Sequence, residues 1–109
     1  MKKLEPPSPL TPAVFYILLA LVGGERHGYD IMHQVATDSG ERMQMGPGTL
    51  YGSIDRMMEA GLVSPSRTSL DGRRIYYKIT DHGRTILKAE AKRLKDAVSL
   101  AQKRITAFA

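Results

Sequence analysis

Four basic side chains that could bind phosphate lie close together between residues 64 and 79. Arg73 and Arg74 are adjacent, Arg67 precedes them, Lys78 follows them, and the segment contains a single acid. A guanidinium offers planar donors that match phosphate oxygens, and an ammonium adds a point charge. The cluster could be a solvated charged surface, but the polar helix that precedes it favours a polyanionic partner.

A second set of polar side chains lies on the outer face of the helix predicted just before this cluster. Gly46–Pro47 is a favourable helix start, and Ala60–Gly61 ends the helix with a residue that tolerates the left-handed conformation. Leu50, Ile54 and Met57 follow one another at spacings of four and three, which places them on one buried face. The opposite face carries the residues that could meet base edges: Thr49, Tyr51, Gly52, Asp55 and Arg56.

The basic cluster falls on a predicted β-hairpin. Leu62–Val63 begins one strand-like run, and Ile75, Tyr77 and Ile79 alternate in the other. Between them, Asp71–Gly72 is a strong short-range hairpin signal. A helix with a polar outer face beside a basic hairpin is typical of a winged helix-turn-helix. In that arrangement the helix fits the major groove of duplex DNA and the hairpin tip meets the backbone.

The N-terminal region is predicted to contain a flexible arm and a buried helix. Residues 1–9 are rich in lysine and proline, and Thr11–Pro12 then supplies a cap and a first helical residue. The apolar run Ala13–Val22 is too short for a membrane span, which needs about 20 residues. We therefore expect a helix buried on more than one side. Because so small a domain has one core, Phe15 and Leu19 are expected to face a second subunit.

Thr80–Asp81 begins the last predicted helix, which we assign to residues 80–109 as a dimerisation element. Its apolar residues recur at alternating spacings of four and three, the heptad pattern of a coiled-coil seam. No other helix of comparable length is predicted, so the seam indicates a homodimer; the alternative is a helix that lies back on its own domain, residues 10–79. The seam consists of Leu87, Ala91, Leu94, Val98, Ala101, Ile105 and Phe108.

Length, charge and composition restrict the class of function. A chain of 109 residues forms one domain, and its net charge of +5 favours nucleic acid or an anionic surface as partner. The lack of cysteine suits the cytoplasm. His27, His33 and His82 do not have the spacing of a metal site, and no catalytic nucleophile or carboxylate pair is recognisable. We therefore expect no enzyme activity, no cofactor, no metal and no membrane segment.

Four segments carry a specific resemblance to a known family. They read LTPAVFYILLAL, HGYDI, GTLYGSIDRMMEAGLV and GRRIYYKITDHG, within residues 10–95. On these motifs the chain resembles the PadR family of bacterial transcriptional regulators, in its compact branch with a single C-terminal helix. The resemblance implies a dimeric winged-helix repressor that binds a palindromic operator.

The resemblance also implies roles for individual residues. Gly48–Tyr51 match the recognition-helix signature, whose tyrosine is the expected DNA-contacting aromatic. Arg73–Arg74 match the basic residues of the wing, and Tyr76–Tyr77 match its paired aromatics. Two positions depart from the family: Gly52, where proline is common, and Met57–Met58, where a Leu-Glu pair is common. Both departures could alter the operator sequence that is recognised.

Together these features predict a mainly α fold with a small β-hairpin, namely a winged helix-turn-helix plus a long C-terminal dimerisation helix. A second helix from about His27–Gly28 completes the helix-turn-helix. The predicted function is a sequence-specific DNA-binding regulator that represses as a homodimer, with release by an apolar or aromatic small molecule left open. The alternative is a dimeric winged-helix module that binds protein or small molecules without recognising DNA.

Overall fold

Four helices and three strands follow one another in the computed structural model, which describes residues 9–108. The predicted N-terminal arm, residues 1–9, lies outside the described residues apart from Pro9. The elements in chain order are α1 (Pro12–Leu21), β1 (Arg26–His27), α2 (Gly28–Asp38), α3 (Pro47–Glu59), β2 (Val63–Thr68), β3 (Ile75–Ile79) and α4 (Asp81–Thr106). This order confirms the predicted winged helix-turn-helix with a long C-terminal helix.

Three helices begin at the residues that the sequence indicated. The Thr11 hydroxyl accepts the Val14 N–H at 3.2 Å ahead of α1, and the Thr80 hydroxyl accepts the Gly83 N–H at 2.9 Å ahead of α4. α3 begins at Pro47, in the first helical position, and has no side-chain cap. Because these signals act between near neighbours in the chain, they place the helix starts without any tertiary information.

α1 lies at the centre of the core and packs against α2, α3, α4 and β3. Other elements of the same chain therefore cover most of the apolar surface of α1, part of which was predicted to face a second subunit. Phe15 packs half-buried against this core, whereas Leu19 remains 37% exposed. The predicted apolar face of α3 is fully buried here. The largest buried side chains are Ile17, Leu18, Leu21, Ile31, Val35, Leu50, Ile54, Met57 and Leu62.

The sheet has three antiparallel strands in the order β1-β3-β2, one more than the predicted hairpin. In the added strand, Arg26 pairs with Tyr77 and His27 pairs with Tyr76. A strand of two residues is too short to show the alternation by which strands are recognised in a sequence. The register of β2 against β3 shifts between Pro65 and Arg67, so the hairpin carries a bulge there.

The two halves of α4 have different surroundings. Leu87, in the N-terminal half, is 8% exposed and belongs to the core of its own chain. The prediction that it forms part of a dimer seam is therefore corrected, because α1 already covers it. Beyond Glu90, Leu94 is half-buried and the other described residues of α4 are exposed. Among residues 9–108, no helix is both long and apolar enough to cross a bilayer.

Candidate nucleic-acid interface

The outer face of α3 carries the polar side chains that the sequence analysis placed there. Thr49, Tyr51, Asp55 and Arg56 are exposed, while Gly52 is half-buried. The guanidinium of Arg56 lies 3.4 Å from the Ser53 hydroxyl, so it folds back along the helix. This face therefore offers hydroxyl, carboxylate and guanidinium groups, which can donate to and accept from base edges and phosphates.

Tyr51 also joins α3 to the start of α2. A Cβ atom built on Gly28 would collide with the ring and the hydroxyl of Tyr51, so a larger residue there would displace the tyrosine side chain. The exposed fraction of Tyr51 is 44%, which leaves part of its ring free to contact a partner. The sequence analysis assigned Tyr51 only to DNA contact. The glycine in HGYDI was the signal for its second role, because the missing side chain leaves space for the Tyr51 ring against the start of α2.

The polar face of α3 adjoins the third strand. Burial raises the pKa of the Tyr77 hydroxyl, and the nearby Tyr51 and Asp55 raise it further. Tyr77 is 6% exposed and pairs with both neighbouring strands, so it lies in the buried centre of the sheet. Contacts between α3 and β2 place the hairpin, which is the wing, beside the helix whose outer face is polar.

The tip of the wing is a closed hydrogen-bonded turn that presents Arg73 and Arg74 to solvent. The Gly72 N–H donates to the Ser69 carbonyl at 2.9 Å, and the Ser69 N–H donates to the Arg74 carbonyl at 2.8 Å. Asp71 accepts the Arg73 N–H at 3.0 Å. Hydrogen bonds from Ser69 and from the Arg73 backbone lower the pKa of the Asp71 carboxyl, so it stays ionised and keeps the turn closed.

Arg67 occupies a different setting from the other wing cations. Its guanidinium donates to Glu25 at 2.5 Å and lies 3.8 Å from the centroid of the Tyr76 ring. The Ser66 hydroxyl, in the bulge of β2, donates to the same carboxylate. The bonds from Ser66 and Arg67 lower the pKa of Glu25, and Glu25 raises the pKa of Arg67. A contact between Arg67 and DNA stays a prediction. In this arrangement Glu25 competes with DNA phosphates for the Arg67 guanidinium.

Arg74 and Lys78 complete the basic surface of the wing. Arg74 lies 3.5 Å from His27 Nε2, while the Nδ1 atom of the same ring accepts the Asp30 N–H and caps α2. The His27 ring meets Tyr76 edge-on, with 5.4 Å between the ring centroids. Lys78 is exposed. The wing and the start of α2 thus share one surface, which the sequence analysis had not connected.

The candidate dimer surface lies on α4 and at the end of α1. Leu94 is half-buried, and Ala91 and Ala101 are exposed on the same helix. The larger apolar side chains of this surface are Leu19, Val98, Ile105 and Phe108, with exposed fractions of 37%, 54%, 50% and 80%. An exposed apolar stripe of this length suits burial against a second copy of the chain.

Glu90 marks the boundary between the two halves of α4. It is 5% exposed and accepts two hydrogen bonds from Arg93, at 2.8 and 2.7 Å. The bonds from Arg93 are the main reason why the pKa of Glu90 is lowered. The burial of Glu90 was not predicted from the sequence, because a local pattern does not show which parts of the chain pack over a residue.

Two features of the described surface bear on ligands. Residues 9–108 contain no group of three His, Cys, Asp or Glu side chains that could hold a metal ion. An open groove of about 380 Å³ lies between the end of α3 and the wing, and Met58, Pro65, Ile75 and Tyr77 line it. None of the residues that line this groove belongs to α1 or α4.

Comparison with known proteins agrees with this geometry. The transcriptional regulator PadR-like family matches residues 17–89. A transcriptional regulator of Clostridium thermocellum superposes with a TM-score of 0.73 at 24% identity, over 84% of this chain and 87% of that chain. A PadR family regulator of Clostridium difficile superposes with a TM-score of 0.71 at 23% identity, over 87% and 99%. These two structures show the fold.

Two further relatives are informative. PadR of Bacillus subtilis, in a crystal structure with operator DNA, superposes with a TM-score of 0.61 at 25% identity, over 70% of this chain and 44% of that chain. A 37.1 kDa uncharacterised protein of a Streptomyces fradiae transposon is 38% identical over 79 residues. That match covers 72% of this chain and 22% of the transposon protein, so this chain spans about a fifth of that relative.

Proposed function

This chain belongs to the PadR-like family of transcriptional regulators, and from that premise we propose that it represses transcription by binding a palindromic operator as a homodimer. The family consists of regulators rather than enzymes. The observation that carries the proposal is that the polar surface of α3 and the basic surface of the wing lie next to each other. α3 packs against β2 of the wing, and the turn between β2 and β3 carries the exposed arginines Arg73 and Arg74.

Each surface has its own task in the proposed complex. α3 lies in the major groove, where Thr49, Tyr51, Asp55 and Arg56 meet base edges or neighbouring phosphates, and Gly52 allows close approach. Arg73 and Arg74 bind the backbone beside it. The alternative of a winged helix that has lost DNA binding does not account for the exposed arginines at the wing tip.

The homodimer is proposed on the exposed apolar stripe of α4. Two wing domains held by this stripe would meet two half-sites about 34 Å apart on one face of the duplex. The seam now consists of Ala91, Leu94, Val98, Ala101, Ile105 and Phe108, with Phe15 and Leu19 at its edge. Such a regulator acts in the cytoplasm, where the bacterial chromosome lies.

Release by an apolar or aromatic small molecule is the regulatory part of the proposal. Small side chains such as Ala101 leave room at the dimer axis, and ligand pockets often lie between subunits. A compound that fits one relative setting of the two wings better than another would change the half-site spacing. Thermal-shift screening tests for such a ligand, since a ligand at 100 times its dissociation constant adds about 2.7 kcal/mol to the free energy of unfolding. A compound that stabilises the dimer should also alter its affinity for DNA.

Selection of bound duplexes from a random pool tests DNA recognition itself. We expect enrichment of a two-fold symmetric sequence, bound with a steep dependence on salt concentration. The matched control is the Arg73→Ala/Arg74→Ala variant, carried through the same rounds of selection. If the wild-type protein enriches no sequence, or if the control enriches the same one with equal affinity, the proposed function is wrong.

A further inference from the structure

One apolar side chain on the wing has no structural partner in its own chain. Leu70 lies at the second position of the turn at the tip, and its exposed fraction is 110%, above that of any other exposed large apolar residue of the described chain. Gly, Pro, Asn, Asp and Ser are the usual residues of such turns, because they form the turn without exposing apolar surface. A leucine therefore contributes nothing to the turn itself.

The turn holds Leu70 in place between fixed neighbours. The Ser69 hydroxyl donates to Asp71 at 2.5 Å and accepts the Arg74 N–H at 3.1 Å. Gly72 has a φ of 74°, the left-handed conformation that this turn requires and that glycine adopts without strain. The backbone on both sides of Leu70 is thus hydrogen-bonded. Its side chain projects from a stiff support that also carries Arg73 and Arg74.

The wing packs against α3 through β2, and this placement indicates the surface of DNA that the tip would meet. When a helix fills the major groove, an element beside that helix reaches the sugar-phosphate ridge and then the adjoining minor groove, which is about 6 Å wide. Arginine side chains favour a narrow minor groove because its negative potential is strong. Leucine is among the apolar side chains that proteins insert between base steps from the minor groove.

We propose that Leu70 enters the minor groove of the operator next to the sequence read by α3, with Arg73 and Arg74 on the groove walls. This inference rests on the proposed function. It makes Leu70 a specificity-determining residue, because the exocyclic amino group of guanine projects into the minor groove and obstructs an apolar side chain. The operator should therefore contain A·T pairs at the flank of each half-site, where α3 makes no contact.

The test measures how Leu70 and the flanking base pair depend on one another. Leu70→Ser, Leu70→Met and the wild-type protein are titrated against the selected operator with A·T, G·C or inosine·cytosine pairs at the flank. Inosine·cytosine shows the major groove of G·C without the amino group in the minor groove. Because Leu70 is fully exposed among the described residues 9–108, equal melting temperatures of the three proteins are expected and check that folding is unchanged.

We expect Leu70→Ser to weaken binding about tenfold on A·T and inosine·cytosine flanks, since a buried leucine is lost, and little on G·C flanks. Leu70→Met should retain the wild-type pattern. Equal effects of Leu70→Ser on all three flanks, no effect on any, or a change only in oligomeric state would overturn the inference. If the wild-type protein selects no operator at all, the proposed function fails instead, so the two failures are distinguishable.

Discussion

Glu25, in the loop between α1 and β1, accepts a hydrogen bond from the Arg67 guanidinium in β2, 42 residues further along the chain. Ser66 donates to the same carboxylate, and Arg67 also stacks on Tyr76. The base of the wing is thus tied to the loop ahead of α2. The Arg67 side chain is 54% exposed and therefore accessible to a phosphate, but its guanidinium already has an anionic partner.

We expect Glu25→Gln to increase the affinity for DNA, because the variant frees Arg67 to bind a phosphate. One additional phosphate contact should steepen the log–log salt dependence of binding by about 0.9. Fluorescence anisotropy over a range of salt concentrations measures both quantities. Glu41→Gln is the control, since it removes the same charge from an exposed acid whose side-chain hydrogen bond is to Gln44. Equal slopes for the two variants would show that Arg67 does not become a phosphate ligand.

The wing-tip arginines should behave as phosphate ligands in the wild-type protein. Replacing Arg73 and Arg74 by alanine should weaken binding to all DNA sequences alike. The slope of the log–log salt dependence of binding should be lower by about 0.9 for each lost phosphate contact. The control is Arg84→Ala, which removes an exposed arginine of α4 that pairs with Asp81. Unchanged binding by the double variant, or a loss as large in the control, would argue against the wing assignment.

A charge in the α4 stripe should separate the proposed dimer. Val98→Asp would bury like charges at a symmetric interface, at a cost of several kcal/mol, roughly. Light scattering should then give the mass of a monomer, and operator binding should fall because the half-sites are no longer held together. Ser99→Asp, one residue away and outside the seam, is expected to remain dimeric. A dimeric Val98→Asp variant with normal DNA binding would mean that another surface joins the subunits.

The start of α4 depends on a close approach that only glycine permits. A Cβ atom at Gly83 would collide with the carbonyl oxygen of Leu62 and lie 2.9 Å from Ile79 Cγ1. We expect Gly83→Ala to lower the free energy of unfolding by about 1–3 kcal/mol, as overpacking does. At Gly48, on α3, nothing lies within 4 Å of the added Cβ, so Gly48→Ala should stabilise by about 0.5–1 kcal/mol. Urea denaturation compares the two variants, and similar effects would contradict the packing at Gly83.

Glu90 should contribute to the loss of stability in acid. The bonds from Arg93 hold its pKa in the folded protein below the ordinary value of 4.5. Its contribution is therefore complete above the unfolded-state pKa and is lost as the pH falls through the lower folded-state pKa. Glu90→Gln should give a melting temperature that declines less steeply between about pH 5 and pH 3. The exposed acid Glu59, replaced by glutamine, is the control, and parallel curves for both variants would contradict this role.

Local patterns in the sequence were sufficient to predict most of the helices and the hairpin turn. The cap at Thr11, the proline at the start of α3 and the Asp71–Gly72 turn each act within a few residues, and the structure has all three where they were predicted. The apolar face of α3 was predicted for the same reason, since helical spacing alone places Leu50 and Ile54 together.

Long-range contacts were beyond such patterns. The strand at Arg26–His27 exists only because it pairs with β3, and its two residues carry no periodicity of their own. The heptad spacing of Leu87 is compatible with a place in the core of its own chain or in a dimer seam. In the structure α4 packs on α1, and Leu87 belongs to the core.

The same distinction applies to the candidate interface. The sequence by itself determined which side chains face outward on α3 and which cations lie on the wing, because helix and hairpin geometry follow from neighbouring residues. Only the tertiary structure decided that Glu25 binds Arg67 and that Tyr51 lies on Gly28. Both contacts join segments more than 20 residues apart, and side chains that distant meet only where the packing of the core brings their elements together.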